Sequence, residues 1–477
     1  MFIFELLAPC RFKWDTAQLV KAFWELEPNG IELVLGIKQS GASYLLLPLT
    51  RWPRLQKAYH LPFPSNRPYT VDSFVSLSPI RFESRESFTK KLAAHRPKQT
   101  KKDHDTSQAN KLYSLDGDKQ DGGKRAVFEQ CRVIFQALHN NLDVSPYGLV
   151  RTAQWDSIKF MSLTYNIWDS NKSRLLDVGW TVFRPNVAPI EYSSSVHVSL
   201  SESAKLGRSR LKKAEFQHGQ TETLSSEAVT ARFEATLSGL RSHNTPVVIL
   251  VYDEASTQKV LNNLGIATSG WTSGIDTLLR AGLYEYQKRT PSYRAGLDPR
   301  AYRHRSRSPR RGESSTRTSR ARSPPPPSRP DGGSSTSGIY VVDVRALYNA
   351  LKQMFSAKLA LTSVANDLGI TADKTSWCAG NESRLLVEMF CTMAAGTAID
   401  EQRAARWGAN ANAAAETESS TGHAGPSTND VDPNDLDPND IEPAPSAVKQ
   451  PAKRTIMDDW DATDSEDEGG RSHYTYR

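Results

Sequence analysis

The stretch Val247-Val248-Ile249-Leu250-Val251, entered through Pro246, is the strongest single constraint on the fold. Consecutive apolar residues bounded by a turn signal have no polar side to offer water, so they suit a strand covered on both faces. Such a strand belongs inside a sheet with helices above and below it. Ile339-Tyr340-Val341-Val342-Asp343-Val344 reads as another strand. Helical spacing surrounds the two: Val229, Phe233, Leu237 and Leu240 within 225–240, Ala255 to Leu264 closed by Gly265, and Arg345 to Phe355. Upstream, Phe160–Ile167, Leu175–Phe183 and Ser194–Leu200 read as three strands. Val127, Phe128, Cys131, Ile134, Phe135 and Leu138 fall on one face of a preceding helix. The pattern predicts an α/β domain over 124–284 and 339–407, a mixed sheet flanked by helices.

The rest of the chain divides by composition. Residues 1–85 read as a small α+β unit: Asp15 is placed to cap a helix carrying Leu19, Val20, Phe23 and Trp24, and Ile31–Leu35 and Tyr44–Leu49 form a hairpin about Lys38-Gln39-Ser40-Gly41. Residues 86–123, with Lys90-Lys91, the lysines of 98–102 and two Asp-Gly turns, read as a flexible basic linker. The 285–338 segment is rich in Arg, Ser and Pro and is expected to be a disordered insert. Its Arg303, Arg305, Arg307, Arg310 and Arg311 are candidates for sequence-blind contact with nucleic-acid phosphates. Residues 408–477 read as a disordered acidic tail, ending in the cluster 461–468, where Thr463 and Ser465 suit acid-directed phosphorylation. The mean hydropathy of -0.54 is concentrated in these polar segments.

A net charge of +7 favours polyanionic partners, with RNA or another nucleic acid ahead of acidic protein. Protein partners are open to the N-terminal unit and the acidic tail. Cys10, Cys131, Cys378 and Cys391 are scattered, with no CxxC pair, and His197, His218, His243 and His304 show no ligand spacing. The expectation is therefore no metal, no disulfide framework and an intracellular protein, nuclear or cytoplasmic. The apolar start, Met1 to Leu7, lacks a basic flank and is a poor signal peptide, and no run reaches membrane-spanning length.

Trp377-Cys378-Ala379-Gly380-Asn381-Glu382 opens an amphipathic helix. It resembles the third motif, HNAGNDA, of the fungal family related to the "good for full DEAD-box activity" protein, a branch of the DEDDh exonuclease and ribonuclease H-like superfamily. Phe160–Asn166 with Leu175–Trp180 resembles that family's first motif and the strand after it; Val248–Asp253 with Leu261–Ile266 resembles its LVGHD and LxxLGI block; Val342–Tyr348 resembles its VDTxxLY strand. The resemblance covers about 155–407 apart from the insert. It implies a ribonuclease H-like fold, an RNA-metabolism setting and a site of four carboxylates holding two divalent metals, with a histidine base.

On that alignment the carboxylate positions of the first motif carry Thr164 and Asn166, the second-motif aspartate falls at Thr257 across a one-residue gap, the base is Trp377, and only Glu382 remains acidic. Neutral side chains are poor Mg²⁺ ligands and tryptophan accepts no proton from water. The leading reading is a nucleic-acid-binding protein with a degenerate exonuclease-like domain and no cofactor. One alternative is an active metal-dependent 3′–5′ exonuclease using Mg²⁺ or Mn²⁺, with Glu382, Asp253, Glu254 and Asp169 as a rearranged carboxylate set. The other is a protein-interaction scaffold without nucleic-acid contact. Simpler roles stand beside these: Glu382 favours the helix dipole, Trp377 packs rather than stacks on a base, Cys378 is a small buried residue, and Asp343 caps a helix.

Overall fold

The computed structural model describes residues 2–5, 16–48, 51–59, 69–70, 73–96, 107–114, 119–139, 142–185, 190–242, 245–289, 338–354 and 357–408. All of them fall in one compact unit, Met1–Ala414. Asp15, the five arginines of the Arg-Ser run and the acidic tail lie outside the described residues.

The chain begins with an antiparallel sheet. Its elements are β1 (Phe2–Glu5), α1 (Thr16–Leu26), β2 (Ile31–Ile37), β3 (Ser43–Pro48), α2 (Trp52–Tyr59), β4 (Tyr69–Thr70) and β5 (Ser76–Phe82), and the strand order is β4-β1-β3-β2-β5. Gly41, at φ +88°, closes the hairpin between β2 and β3, and the Lys38 amide donates to the Ala42 carbonyl at 2.9 Å. Val20, Phe23, Leu33, Leu45, Ile80 and Phe82 form one face's core.

Within 86–123 the described residues, 86–96, 107–114 and 119–123, are mostly helical where the sequence predicts a flexible linker. Helix α3 (Arg85–His95) starts at Ser84, whose hydroxyl accepts from the Ser87 amide, and buries Phe88, Lys91, Leu92 and His95. Phe88 packs edge-on to Phe23, with ring centroids 5.8 Å apart. The lysines dominate the composition, and the apolar residues four apart decide the conformation. A short α4 (Lys111–Ser114) follows, and the neighbouring Asn110 clasps the backbone of Ser43 from both sides, at 2.8 and 2.9 Å.

Helix α5 (Lys119–His139) joins this sheet to a larger one. Phe128, Cys131, Ile134, Phe135 and Leu138 enter the core of the larger sheet, as their spacing predicts. The opposite side is buried too, and it is polar. Gln130 donates to Val75, Arg132 to Pro79, and Arg125 to Gly41. Arg125 and Lys91 both pair with Asp400, at 2.7 and 2.9 Å. The N-terminal residues are thus part of one body with the rest, a correction to their reading as a separate unit. The face of α5 opposite its apolar residues is a hydrogen-bonded seam.

The larger sheet comprises β6 (Lys159–Trp168), β7 (Asn171–Arg184), β8 (Glu191–Leu200), β9 and β10 nearby (Lys212–Lys213 and Thr221–Leu224), β11 (Val247–Val251), β12 (Trp271–Ser273) and β13 (Ile339–Asp343). Seven of these strands run in the order β10-β8-β7-β6-β11-β13-β12, while β9 pairs with β14 (Ser376–Trp377). Strands β6, β7 and β8 are antiparallel, and β11 and β13 run parallel to β6. Helices α7 (Ser226–Leu240) and α8 (Glu254–Asn263) cover one face. Helices α5, α6 (Ala153–Ser157), α9 (Asp276–Arg289), α10 (Val344–Lys352), α11 (Leu361–Asp367) and α12 (Ala379–Ala394) contribute to the core on the other. In β11, Val247, Ile249 and Val251 enter the first core and Val248 and Leu250 the second, so the strand is buried on both faces, as its composition requires. The fold is a mixed α/β sheet flanked by helices.

Three boundaries differ from the sequence reading. Helix α9 runs to Arg289, past the expected start of the insert at 285. Helix α12 ends at Ala394 instead of continuing to Trp407, and 399–408 form a separate helix, α13. Gly396 lies in the break; a Cβ there would sit 2.4 Å from the Gln402 side chain, whose amide donates to the Met393 and Thr397 carbonyls. Asp343 ends β13 and caps α10, accepting from the Ala346 amide at 2.8 Å.

Candidate functional site

Side chains alternate across a strand, so register fixes what β6, β7 and β8 present together. Ser162, Thr164 and Asn166 of β6 pair with Thr181, Gly179 and Asp177 of β7. These in turn pair with Ser195, His197 and Ser199 of β8. Three strands therefore bring a block of small and polar residues to one face. The alternate positions, Met161, Leu163, Val178, Trp180, Val182 and Val198, form ordinary apolar core on the other.

The start of α12 lies directly on this polar block. A Cβ at Gly179 would meet the Ala379 carbonyl carbon and the Gly380 nitrogen at 2.4 Å. A Cβ at Gly380 would meet the His197 Cβ and the Phe216 ring at 2.6 Å. Backbone therefore rests on backbone at Gly179, while Gly380 lies against the His197 and Phe216 side chains, and neither position has room for a Cβ. Hydrogen bonds complete the contact. The Thr164 hydroxyl donates to the Ala379 carbonyl at 2.6 Å, and Ser162 donates to the Ser383 carbonyl at 2.7 Å. The Ala379 amide donates to Asp177 Oδ2 at 3.1 Å, and Thr181 and Ser383 share a hydroxyl–hydroxyl bond of 2.7 Å. A buried polar patch costs little once its donors and acceptors are paired.

Of the sequence-predicted residues, the structure brings Thr164, Asn166 and Glu382 to one place. Asn166 Nδ2 donates to Glu382 Oε2 at 3.1 Å. Burial, then the charge of Asp177, pushes the Glu382 carboxyl up to about 7, against the opposing hydrogen bond from Asn166. Arg208, from the loop after β8, donates to the other side of Asn166 at 3.1 Å and also lies 3.5 Å from Asp169.

The remaining candidates are engaged elsewhere. Asp169 accepts from the amide and hydroxyl of Ser209, at 2.8 and 3.0 Å, and so ties down the loop that carries Arg208. Thr257 is buried on α8 and hydrogen-bonds Tyr165, on the opposite face of β6 from Thr164 and Asn166. Asp253 caps α8 at Ser256 and pairs with Arg345. Glu254 accepts from Ser273 at 2.7 Å and from Gln258 at 3.1 Å. Trp377, 2% exposed, forms a two-residue pairing with β9, and the Lys213 ammonium sits 5.6 Å from its ring centroid. Arg303, Arg305, Arg307, Arg310 and Arg311 are outside the described residues.

Sequence spacing gives no sign of three further residues that meet here: Asp177, His197 and Cys378, with exposures of 0, 1 and 2%. Their ligand-type atoms all lie within 4.8 Å of one another. His197 Nε2 is 2.7 Å from Asp177 Oδ2, and Nδ1 is 2.9 Å from the Thr221 hydroxyl. Burial lowers the affinity of His197 for a proton, yet hydrogen bonds and charge from Asp177 and Cys378 outweigh it and raise the imidazole to about 9. The signal in the sequence was the period of two in Ser195-x-His197-x-Ser199 and Asp177-x-Gly179-x-Thr181, which is informative only after the strands are paired.

The loop between β8 and β10 borders the site and is basic. Lys205, Arg210, Lys212 and Lys213 are exposed on it. Among the described residues, no helix is long and apolar enough to cross a membrane. No protein-family model matches the chain, and no curated protein matches it.

Proposed function

We propose that this protein binds nucleic acid, with RNA the favoured class, through a ribonuclease H-like domain of DEDDh exonuclease type that has lost its two-metal chemistry. The reading rests on one observation: Thr164, Asn166 and Glu382, the residues aligned with three of the family's four carboxylates, meet at one place in a β8-β7-β6-β11-β13 sheet and spend their polar atoms on each other and on the chain. The Thr164 hydroxyl is committed to a helix carbonyl, and Arg208 supplies positive charge beside Asn166. Two-metal catalysis needs several converging carboxylate oxygens. Here Glu382 is hydrogen-bonded to an amide next to a guanidinium, and the neighbouring Asp177 is engaged by His197 and the Ala379 amide.

Fewer acidic groups also reduce repulsion of a phosphate backbone, and Lys205, Arg210, Lys212 and Lys213 supply attraction along the border of the site. The test is a fluorescence titration of single-stranded RNA with the full chain over a range of salt, repeated with Lys205, Lys212 and Lys213 reversed to Glu. The expected result is salt-dependent binding that weakens about tenfold or more in the variant, with a shallower salt slope. Binding unchanged by the reversal would remove the site's border from the interface, and no binding at all would leave a protein scaffold as the better description.

A further inference from the structure

We infer that Asp177, His197 and Cys378 form a transition-metal site, with Zn²⁺ the ion it fits best. The inference is independent of nucleic-acid binding and of the Thr164–Asn166–Glu382 positions.

The donor set is mixed: a carboxylate from β7, an imidazole from β8 and a thiol from the residue that precedes α12. Thiolate and imidazole together select a borderline-soft ion such as Zn²⁺ over Mg²⁺ or Ca²⁺, which prefer oxygen alone. The span also fits. Tetrahedral zinc with bonds of about 2.0–2.3 Å separates its ligand atoms by about 3.3–3.8 Å. The three atoms already lie within 4.8 Å of one another, so shifts of about 1 Å or less gather them around one ion.

Two further observations point to a cation. Asp177 Oδ1 is buried and has no hydrogen-bond partner, while Oδ2 holds the Ala379 amide. A buried carboxylate oxygen left without a partner is costly unless something positive meets it. His197 also carries the support that metal-binding histidines carry, its second ring nitrogen being held by an oxygen, here Thr221 Oγ1 at 2.9 Å. When Nδ1 donates its proton to Thr221, the Nε2 lone pair faces the Asp177 carboxylate at 2.7 Å. Two electron-rich atoms tolerate that distance only with a proton between them, and a metal takes the proton's place once the pair opens to about 3.3 Å. The thiol beside them favours the metal, because metal binding turns a weak donor into a charged ligand as Cys378 releases its proton to solvent. The three donors are buried, so the ion's role is to fasten β7, β8 and the start of α12 together, with one solvent-derived ligand completing its tetrahedron.

The test uses the untagged full chain, purified and dialysed against metal-free buffer. The expected result is about one zinc per chain by elemental analysis and a zinc X-ray absorption edge fitted by one sulfur at about 2.3 Å with nitrogen and oxygen neighbours. Replacement by Co²⁺ is expected to give a thiolate-to-cobalt charge-transfer band that Cys378→Ser abolishes while far-ultraviolet circular dichroism is retained. The absorption-edge measurement needs no variant, so it decides the matter even if Cys378→Ser fails to fold. Substoichiometric zinc together with no charge-transfer band, or an edge without sulfur, overturns the site and leaves a proton between His197 and Asp177.

Discussion

The two faces of β6, β7 and β8 are built on opposite principles. One carries Met161, Leu163, Val178, Trp180, Val182 and Val198 and packs against Val229 and Phe233 of α7. The other carries serine, threonine, glycine, asparagine, aspartate and histidine at the paired positions and receives the backbone of α12. The apolar face is held by area and shape, each large side chain contributing roughly 1.5–3 kcal/mol on burial. The polar face gains little from area; it depends on every donor finding an acceptor and on the absence of side chains at Gly179 and Gly380. A purely structural seat for a helix is made more simply from leucine and valine.

That contrast can be broken from either side. The largest effect is expected on the apolar face: Trp180→Ala removes a fully buried ring packed edge-on to Phe233 at 5.6 Å and should cost about 3–5 kcal/mol in chemical denaturation. An effect below about 1 kcal/mol would mean that this face collapses freely. On the polar face a methyl group should suffice. Gly179→Ala drives a Cβ into the backbone of Ala379 and Gly380 and should cost about 2–3 kcal/mol, whereas the same change at Gly239, which has open space around it, should be close to neutral. Equal effects at the two glycines would contradict direct backbone contact.

The smallest stability effect depends on pH. Folding raises the Glu382 carboxyl from its ordinary 4.5 to about 7, so the folded state holds that proton more tightly than the unfolded chain does. Its contribution is fully present below about pH 4.5 and is lost as the pH rises through about 7. Glu382→Gln keeps a neutral group throughout. With chelator present, the variant should gain on the parent by about 1–2 kcal/mol between pH 5 and pH 8, a figure reduced for partial exposure. A gap that stays constant with pH would show that Glu382 is ionised without penalty in the folded protein.

Much of the larger sheet was legible in the sequence because its elements announce themselves locally. The Val247–Val251 run, the helical spacing of 225–240 and the terminating glycine of α8 each needed only their neighbours along the chain. The errors came where a partner distant in sequence decides. Residues 86–123 looked like a linker because lysines outnumber apolar residues, yet Phe88 and Leu92 find a core built by Phe23 and Phe82. Nothing local shows that the N-terminal sheet covers the polar side of α5. The site divides the same way. Alignment placed Thr164, Asn166 and Glu382, while Thr257, across a gap, fell on the opposite face of the sheet. Asp177, His197 and Cys378 are joined only by strand register and by the docking of α12, neither of which spacing along the chain encodes.

Under the proposed function the protein holds RNA along the basic loop that borders the buried polar face and does not cut it. The most direct test is to incubate the purified full chain with 5′-labelled single-stranded RNA, in separate reactions with Mg²⁺ and with Mn²⁺, and to resolve the products on a denaturing gel. The predicted result is RNA retained by the protein in a salt-sensitive complex and recovered at full length. Progressive shortening that requires the metal and disappears in Glu382→Gln would contradict the account and restore a working carboxylate site.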